Sequence, residues 1–199
     1  MLCQLSTIKT RLAIPDIDIQ YDDLLTFAIE AISARFDQET NRTLARAVDT
    51  TFEFDAGDLE ISVPRYPVES VSKFETKVCE SAGWVEQTGI DYVVRRNCII
   101  SLSESFSIQP LAFSLPALAR VTYTGGYVLP GDTASPSQTP LPADLENAAI
   151  EQVAAWFLRR DMIGLDVSWP KGGIMQRFSK LDLLLPVAQV LQTYKRYGL

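Results

Sequence analysis

The hydrophobic period of this chain changes twice, and that constrains the fold more tightly than any single motif does. Between Asp22 and Phe36, the residues Leu25, Ile29, Ile32 and Phe36 recur at i, i+4, i+7 and i+11, which is one face of a helix. Leu24, Ala28 and Ala31 widen that face, and Ala28, Ala31 and Ala34 are small enough to let another helix come close. From Thr50 the period becomes two. Thr51-Phe52-Glu53-Phe54 and Leu59-Glu60-Ile61-Ser62-Val63 alternate apolar and polar residues, as half-buried strands do. Beyond Pro142 the helical period returns, with Leu145, Ala149, Val153 and Trp156 in one stripe and Phe157 beside them. This order predicts an α+β fold, a helical bundle built from N- and C-terminal helices with an inserted antiparallel β subdomain. The expected domains are 1–49 as the N-terminal helical part, 50–128 as the β-rich insert, and 129–199 as linker, C-terminal helices and docking tail.

Punctuating residues divide these regions further. Ser6 to Leu12 suits a short helix that Pro15 stops, and Asp22 is a candidate N-cap for the helix after it. Val68–Thr76, Trp84–Glu86, Tyr92–Arg95, Cys98–Leu102 and Ala119–Thr124 are further strand candidates. Asp55-Ala56-Gly57-Asp58 is expected to close a hairpin, Ser81-Ala82-Gly83 and Arg96-Asn97 to make turns, and Gly125-Gly126 to end the block. Such spacing points to a small antiparallel sheet or a barrel-like subdomain. Leu129 to Pro140 is rich in Pro, Ser, Thr and Gly and is expected to be a loop, as is Gly164 to Ser179. Pro142 suits the first position of the next helix, and Asp144 and Glu146 suit its first turn.

Composition excludes several kinds of chemistry. The sequence has no histidine, so neither a Ser-His-Asp or Cys-His arrangement nor a His-based zinc site can form within it. Cys3, Cys79 and Cys98 lack metal-ligand spacing; they are expected to be free thiols, with Cys98 an apolar filler. No phosphate-loop pattern accompanies Gly125-Gly126 or Gly172-Gly173. Carboxylates are the one abundant catalytic material. Asp22-Asp23, Asp55 with Asp58, and Glu53 with Glu60 are the candidate acid/base pairs, but each also suits a plainer role as helix cap, hairpin turn or solvent side of a strand. No catalytic residue, cofactor or metal site is therefore expected. No apolar run approaches the ~20 residues that span a bilayer, and Met1 to Ser6 lacks the pattern of a signal peptide, so no membrane partner is expected and the chain is read as cytosolic.

Charge is unevenly placed. From Arg160 to the end there are six basic and three acidic residues, a net of +3, while the rest of the chain is at −10. An acidic body with a basic tail favours contact between surfaces of opposite sign. The acidic body disfavours tight binding to nucleic-acid phosphates.

Three stretches together resemble the head-tail connector (adaptor, or neck) proteins of tailed bacteriophages. The first is the early helix after the Leu5-Ser6-Thr7-Ile8-Lys9-Thr10-Arg11-Leu12 opening. The second runs from Ala119 through Gly125-Gly126-Tyr127, a Pro-rich loop and Leu141-Pro142-Ala143-Asp144-Leu145 to the helix ending Trp156-Phe157-Leu158-Arg159-Arg160. The third is the closing stretch from Leu184-Leu185-Pro186 to Tyr194-Lys195-Arg196. The resemblance lies in order and spacing, and the long β block departs from the pattern. It implies a structural virion protein and not an enzyme: a homo-oligomeric ring, commonly of twelve copies, seated under the portal protein at the neck. Such a ring lets DNA pass without sequence-specific binding and offers a platform to the next neck or tail-completion protein. It would be assembled in the host cytoplasm, with a lumen that is acidic or neutral. The alternative from the residues alone is a carboxylate-based enzyme or a small-ligand-binding module with a β-barrel pocket.

The last helix is the expected docking element. Pro186 fixes its start, Val187, Val190, Leu191 and Tyr194 recur at i, i+3, i+4 and i+7, and Lys195 and Arg196 occupy its last turn. A helix of ~11 residues is unstable alone in water, so the stripe must be buried on something. The portal is the partner implied by the resemblance, and the chain's own bundle is the other candidate. The expected portal-docking residues are Val187, Val190, Leu191, Tyr194, Lys195 and Arg196.

Overall fold

The computed structural model describes residues 1–103, 117–160 and 183–196. The chain forms two compact units. One comprises Met1–Thr40 and Leu141–Lys195, and the other comprises Asn41–Pro140 with the chain end from Arg196.

Among the described residues, the first unit is helical, with α1 (Leu5–Arg11), α2 (Asp22–Thr40), α3 (Ala143–Leu158) and α4 (Leu185–Thr193). The α2 stripe of Leu25, Ile29, Ile32 and Phe36 is entirely buried, together with Leu145, Ala149 and Val153 of α3 and Ile8 of α1. Alanines 148, 149 and 154 on α3 are buried as well, and their small side chains leave room for a neighbouring helix. α2 runs on past Phe36 to Thr40, whose hydroxyl donates to the Phe36 carbonyl at 2.7 Å. At its other end the Asp22 carboxylate pairs with Lys9 Nζ at 2.8 Å, and Lys9 also donates to the Asp16 carbonyl at 3.0 Å. Lys9 is buried, and a buried ammonium needs such partners because leaving water costs it several kcal/mol (about that scale). Pro142 lies one position earlier than expected, before the first helical residue, while Asp144 and Glu146 fall in the first turn.

The second unit carries seven strands among its described residues: β1 (Ala47–Asp55), β2 (Glu60–Ser62), β3 (Val68–Lys77), β4 (Val85–Gln87), β5 (Tyr92–Arg95), β6 (Ile99–Leu102) and β7 (Leu118–Gly125). They form a four-stranded sheet, β1-β7-β3-β4, and a three-stranded sheet, β2-β6-β5, with every pair antiparallel. Ile61, Ile100 and Leu102 from one sheet share a core with Phe74, Ala119, Val121 and Tyr123 from the other. The two sheets therefore pack face to face around one apolar layer.

The Asp55–Asp58 turn forms, with the Asp58 N–H donating to the Asp55 carbonyl at 2.9 Å, but it closes no hairpin. β1 pairs with β7, and β2 pairs with β6. The reason lies inside the turn. Ala56 is buried and its N–H is taken by the Ala117 carbonyl at 3.0 Å, so the chain dives inward and crosses to the other sheet. Arg96 and Asn97, in contrast, have φ of 50° and 57° and begin the tight connection, residues 96–98, that joins β5 to β6, with the Cys98 N–H donating to the Arg95 carbonyl at 3.1 Å.

Gly125 and Gly126 end β7 at a point where three backbone segments meet. A Cβ on Gly125 would lie 2.7 Å from the Pro67 carbonyl oxygen, and one on Gly126 would lie 2.7 Å from that of Ala45. Gly126 also has φ of +101°, a region that L side chains rarely adopt. The closeness allows Gly126 N–H to reach Pro67 O at 2.9 Å and Tyr127 N–H to reach Leu44 O at 2.8 Å. Gly126→Ala combines a backbone clash with a left-handed φ and is expected to cost about 2 kcal/mol or more. That corresponds to a fall of roughly 4–8 °C in melting temperature for a chain of this size, measurable by circular dichroism.

Candidate docking site

The C-terminal helix α4 is held by three kinds of contact within the helical unit. Val187 and Leu191 are buried, so its apolar stripe closes on that unit in the single chain. At the N-terminus no side chain caps the helix, but the Leu184 N–H donates to Gln152 Oε1 at 2.8 Å. Gln152 is only 1% exposed and projects from α3 between apolar neighbours. At the C-terminal end the Tyr194 hydroxyl donates to the Asp144 carboxylate, 2.8 Å from each oxygen. Asp144 Oδ1 also accepts the Leu145 N–H at 2.9 Å, so one carboxylate serves the first turn of α3 and the last turn of α4.

The six expected docking residues therefore divide. Val187 and Leu191 face inward, while Val190, Tyr194 and Lys195 are half-buried. Arg196 lies in the β unit. Its Nη2 donates to the Ser62 carbonyl at 2.7 Å, its Nε to Ser62 Oγ at 3.3 Å, and its guanidinium sits 5.8 Å from the Phe52 ring. Leu185, Pro186, Gln189, Gln192 and Thr193 form the outward face of α4. Sequence reasoning missed Gln152 and the Asp144–Tyr194 bond. The signal for Gln152 was present, an amide in the stripe that begins at Leu145.

The candidate carboxylate pairs are dispersed. Asp22 is paired with Lys9, Asp55 and Asp58 bracket the turn described above, and Glu60 is paired with Arg95 at 2.9 Å. Glu53 and Glu60 belong to different sheets. Among the described residues there is no group of three or more His, Cys, Asp or Glu side chains placed to hold a metal. A cleft of about 240 Å³ opens between β3 and the segment from β4 to β5, lined by Val71, Lys73, Phe74, Glu86, Gln87 and Tyr92. Among the described residues it offers a single carboxylate, Glu86, and so no facing acid/base pair.

The most constrained acid is Glu75 on β3. It is 7% exposed and lies opposite Arg120 of β7, whose Nε and Nη2 donate to Glu75 Oε2 at 3.0 and 2.8 Å. Trp84 covers the Arg120 guanidinium at 4.3 Å, and Lys73 approaches Glu75 Oε1 at 3.3 Å. Burial pushes the Glu75 carboxyl up, but the hydrogen bonds and charges of Arg120 and Lys73 outweigh it and hold it below the usual carboxylate range. Cys3 goes the other way: burial, helped by the charge of Glu146, raises its thiol to about 12, which leaves it an inert apolar filler at neutral pH.

No protein-family model and no curated protein matches this sequence. Its fold does match solved structures. A chain in the neck of an empty gene transfer agent (GTA) particle, computed with C6 symmetry, superposes over 98% of this chain and 89% of its own length, with a TM-score of 0.57 at 14% identity. A chain in the virion of a native GTA particle covers 89% and 79%, with a TM-score of 0.52 at 16% identity. A chain in the neck of a native GTA particle computed with C12 symmetry covers 98% and 89%, with a TM-score of 0.50 at 14% identity. The chain thus shares its fold with chains from GTA particles, and the α+β architecture expected from its sequence is the one observed.

Two measurements follow. Leu191→Ala removes a fully enclosed side chain and is expected to destabilise the protein by about 2–5 kcal/mol, whereas Tyr194→Phe, which removes one hydroxyl, costs about 1 kcal/mol; urea titration of both variants checks the order. For Glu75 the folded pKa is depressed, so its contribution is complete above the unfolded pKa and is lost as pH falls through the folded one. The stability gap between wild type and Glu75→Gln is therefore expected to be widest at neutral pH and to close in acid, read by denaturant midpoints from pH 7 down to about pH 3.

Proposed function

We propose that this protein is a structural subunit of a virion neck, a ring-forming head-tail connector and not an enzyme. The observation that carries the reading is the match of fold over 98% of the chain to a neck chain of a GTA particle. The symmetric particles in which such chains are found, computed with C6 and C12 symmetry, support an oligomeric ring, and twelve copies is the number proposed here. The ring docks under a portal protein on one side and receives the next neck or tail-completion protein on the other. DNA passes through the lumen without sequence-specific contact. The net charge of −10 on the body supports an inner wall that repels phosphates and lets DNA slide.

In this reading α4 and the residues after it form the portal side. Val187 and Leu191 fix the helix to its own unit, and Val190, Tyr194, Lys195 and Arg196, with the outward Leu185, Pro186 and Gln189, present the contact. The basic excess of the C-terminal stretch suits an acidic partner.

The test is direct imaging. The purified chain, alone and mixed with the portal protein of its own particle, is examined by electron microscopy. Rings with a central channel that cap the portal are the expected result, with an inner wall lined by Asp and Glu. A chain that stays monomeric beside the portal, or a ring lined mainly by Arg and Lys, overturns the reading. Lys195→Glu is expected to weaken portal binding about tenfold in low salt, and less at higher ionic strength, by titration calorimetry.

A further inference from the structure

Arg196 is one of the residues assigned above to the portal contact, yet in the single chain its guanidinium is already engaged. Nη2 donates to the Ser62 carbonyl at 2.7 Å and Nε to Ser62 Oγ at 3.3 Å, and the group lies 5.8 Å from the Phe52 ring. The Arg196 carbonyl accepts from Asn41 Nδ2 at a long 3.5 Å. Ser62 lies on β2, Phe52 on β1 and Asn41 at the start of the β unit, so the end of the described chain is pinned to that unit at three points.

All three partners are neutral. Arg46 and Arg120 of the same unit each hold a carboxylate, 2.8 Å from Glu69 and Glu75 respectively, whereas no carboxylate pairs with Arg196 among the described residues. A like charge is also near. Burial pushes the Tyr123 phenol up, while an N–H from Arg65 and the charges of both Arg65 and Arg196 act the other way. Two guanidiniums thus border one hydroxyl, and their mutual repulsion weakens the seat of Arg196. Hydrogen bonds from arginine to a carboxylate are roughly twice as strong as those to neutral oxygens, and a carboxylate presents two oxygens to the planar fork. A partner's carboxylate within reach therefore outcompetes Ser62. Ser62 and Arg196 are both half-buried, so water can take the place of the guanidinium when it leaves.

We propose that Arg196 is a latch, seated on Ser62 in the free subunit and transferred to a carboxylate of the portal on docking. The proposal rests on the portal reading above and specifies how that site is regulated. The end of the chain has a closed state, in which Arg196 is held by its own β unit, and an open state that an acidic partner stabilises. A partner shifts such an equilibrium only by its differential affinity for the two states. Exchanging neutral acceptors for a charged one supplies that difference.

The experiment changes the strength of the latch without touching Arg196. Ser62→Asp puts a carboxylate where Arg196 now meets a hydroxyl, and holds the arginine in its seat. Portal binding by the full chain, measured by titration calorimetry, is expected to weaken about tenfold in low salt and less as salt rises. Ser62→Ala removes the 3.3 Å bond and loosens the latch, so binding is expected to tighten about twofold. In an Arg196→Ala background the two variants are expected to bind alike, because the substitutions at position 62 act through Arg196. Thermal melts check that Ser62→Asp folds, with a midpoint expected within about 2 °C of wild type. If it melts lower, the cycle of Ser62→Ala with Arg196→Ala decides alone: tightening only while Arg196 is present supports the latch, and no tightening overturns it. Equal affinity in wild type and both variants overturns the latch and leaves portal docking standing. A fall in both variants overturns it too, since a purely structural role for Ser62 lowers both. A wild type that does not bind the portal removes the docking reading itself, and the latch with it.

Discussion

The structure depends on the burial of one helical stripe by residues that lie far along the chain. Leu25, Ile29, Ile32 and Phe36 belong to the stretch that ends at Thr40, yet the rest of their unit resumes only at Leu141. Closing so long a loop carries an entropic cost, and it is lowest when the insert folds with its own ends together. The β unit meets that condition. Ala45 bridges Tyr127 and Val128 bridges Pro140, so the incoming and outgoing strands of the insert run side by side. Gly125 and Gly126 are what let the backbones come that close. Two glycines in the β unit thus help bring together a helical core to which they contribute no side chain.

The charges in the β unit follow a similar economy. Arg46 grips Glu69 with two hydrogen bonds of 2.8 and 2.9 Å, and Arg120 grips Glu75 across neighbouring strands. Arg42, almost wholly buried, has no such carboxylate in the described contacts; it is stacked 3.4 Å from the Tyr66 ring and donates to the Tyr66 carbonyl. Planar guanidinium groups suit both settings, because they can bond in their plane while stacking on their faces. Arginines in this unit thus serve to fasten strands and turns, and need not be reserved for a ligand.

Much of the architecture was legible because local periodicity decides it. The apolar stripes of α2 and α3, the alternation of β1 and β2, and the two left-handed residues at Arg96-Asn97 each carry their structure in a few consecutive residues. Pairing was less legible. Nothing within Asp55-Ala56-Gly57-Asp58 says that Ala56 will bond Ala117 and send the chain to another sheet, since that choice is made by a segment sixty residues away (roughly that separation). The candidate docking helix shows the same limit. Its stripe at Val187 and Leu191 demanded a partner, but a stripe does not say which. The amide of Gln152 and the carboxylate of Asp144, which hold α4 to its own unit, are ordinary surface-type residues until their partners are known. Leu24 shows the opposite error, because it read as a widening of the inner face of α2 and is instead 48% exposed.

The bonds of Arg196 to Ser62 have a topological meaning. The chain runs in the helical unit to Thr40, leaves it for the β unit, returns at Leu141 and enters the β unit again at Arg196. Each unit is therefore sewn from two lengths of polypeptide, and the thread passes between them three times. A single break in the backbone, wherever it falls, cannot set the units apart; any nick leaves at least one stitch in place. Local damage at one crossing therefore leaves the covalent connection between the units unbroken.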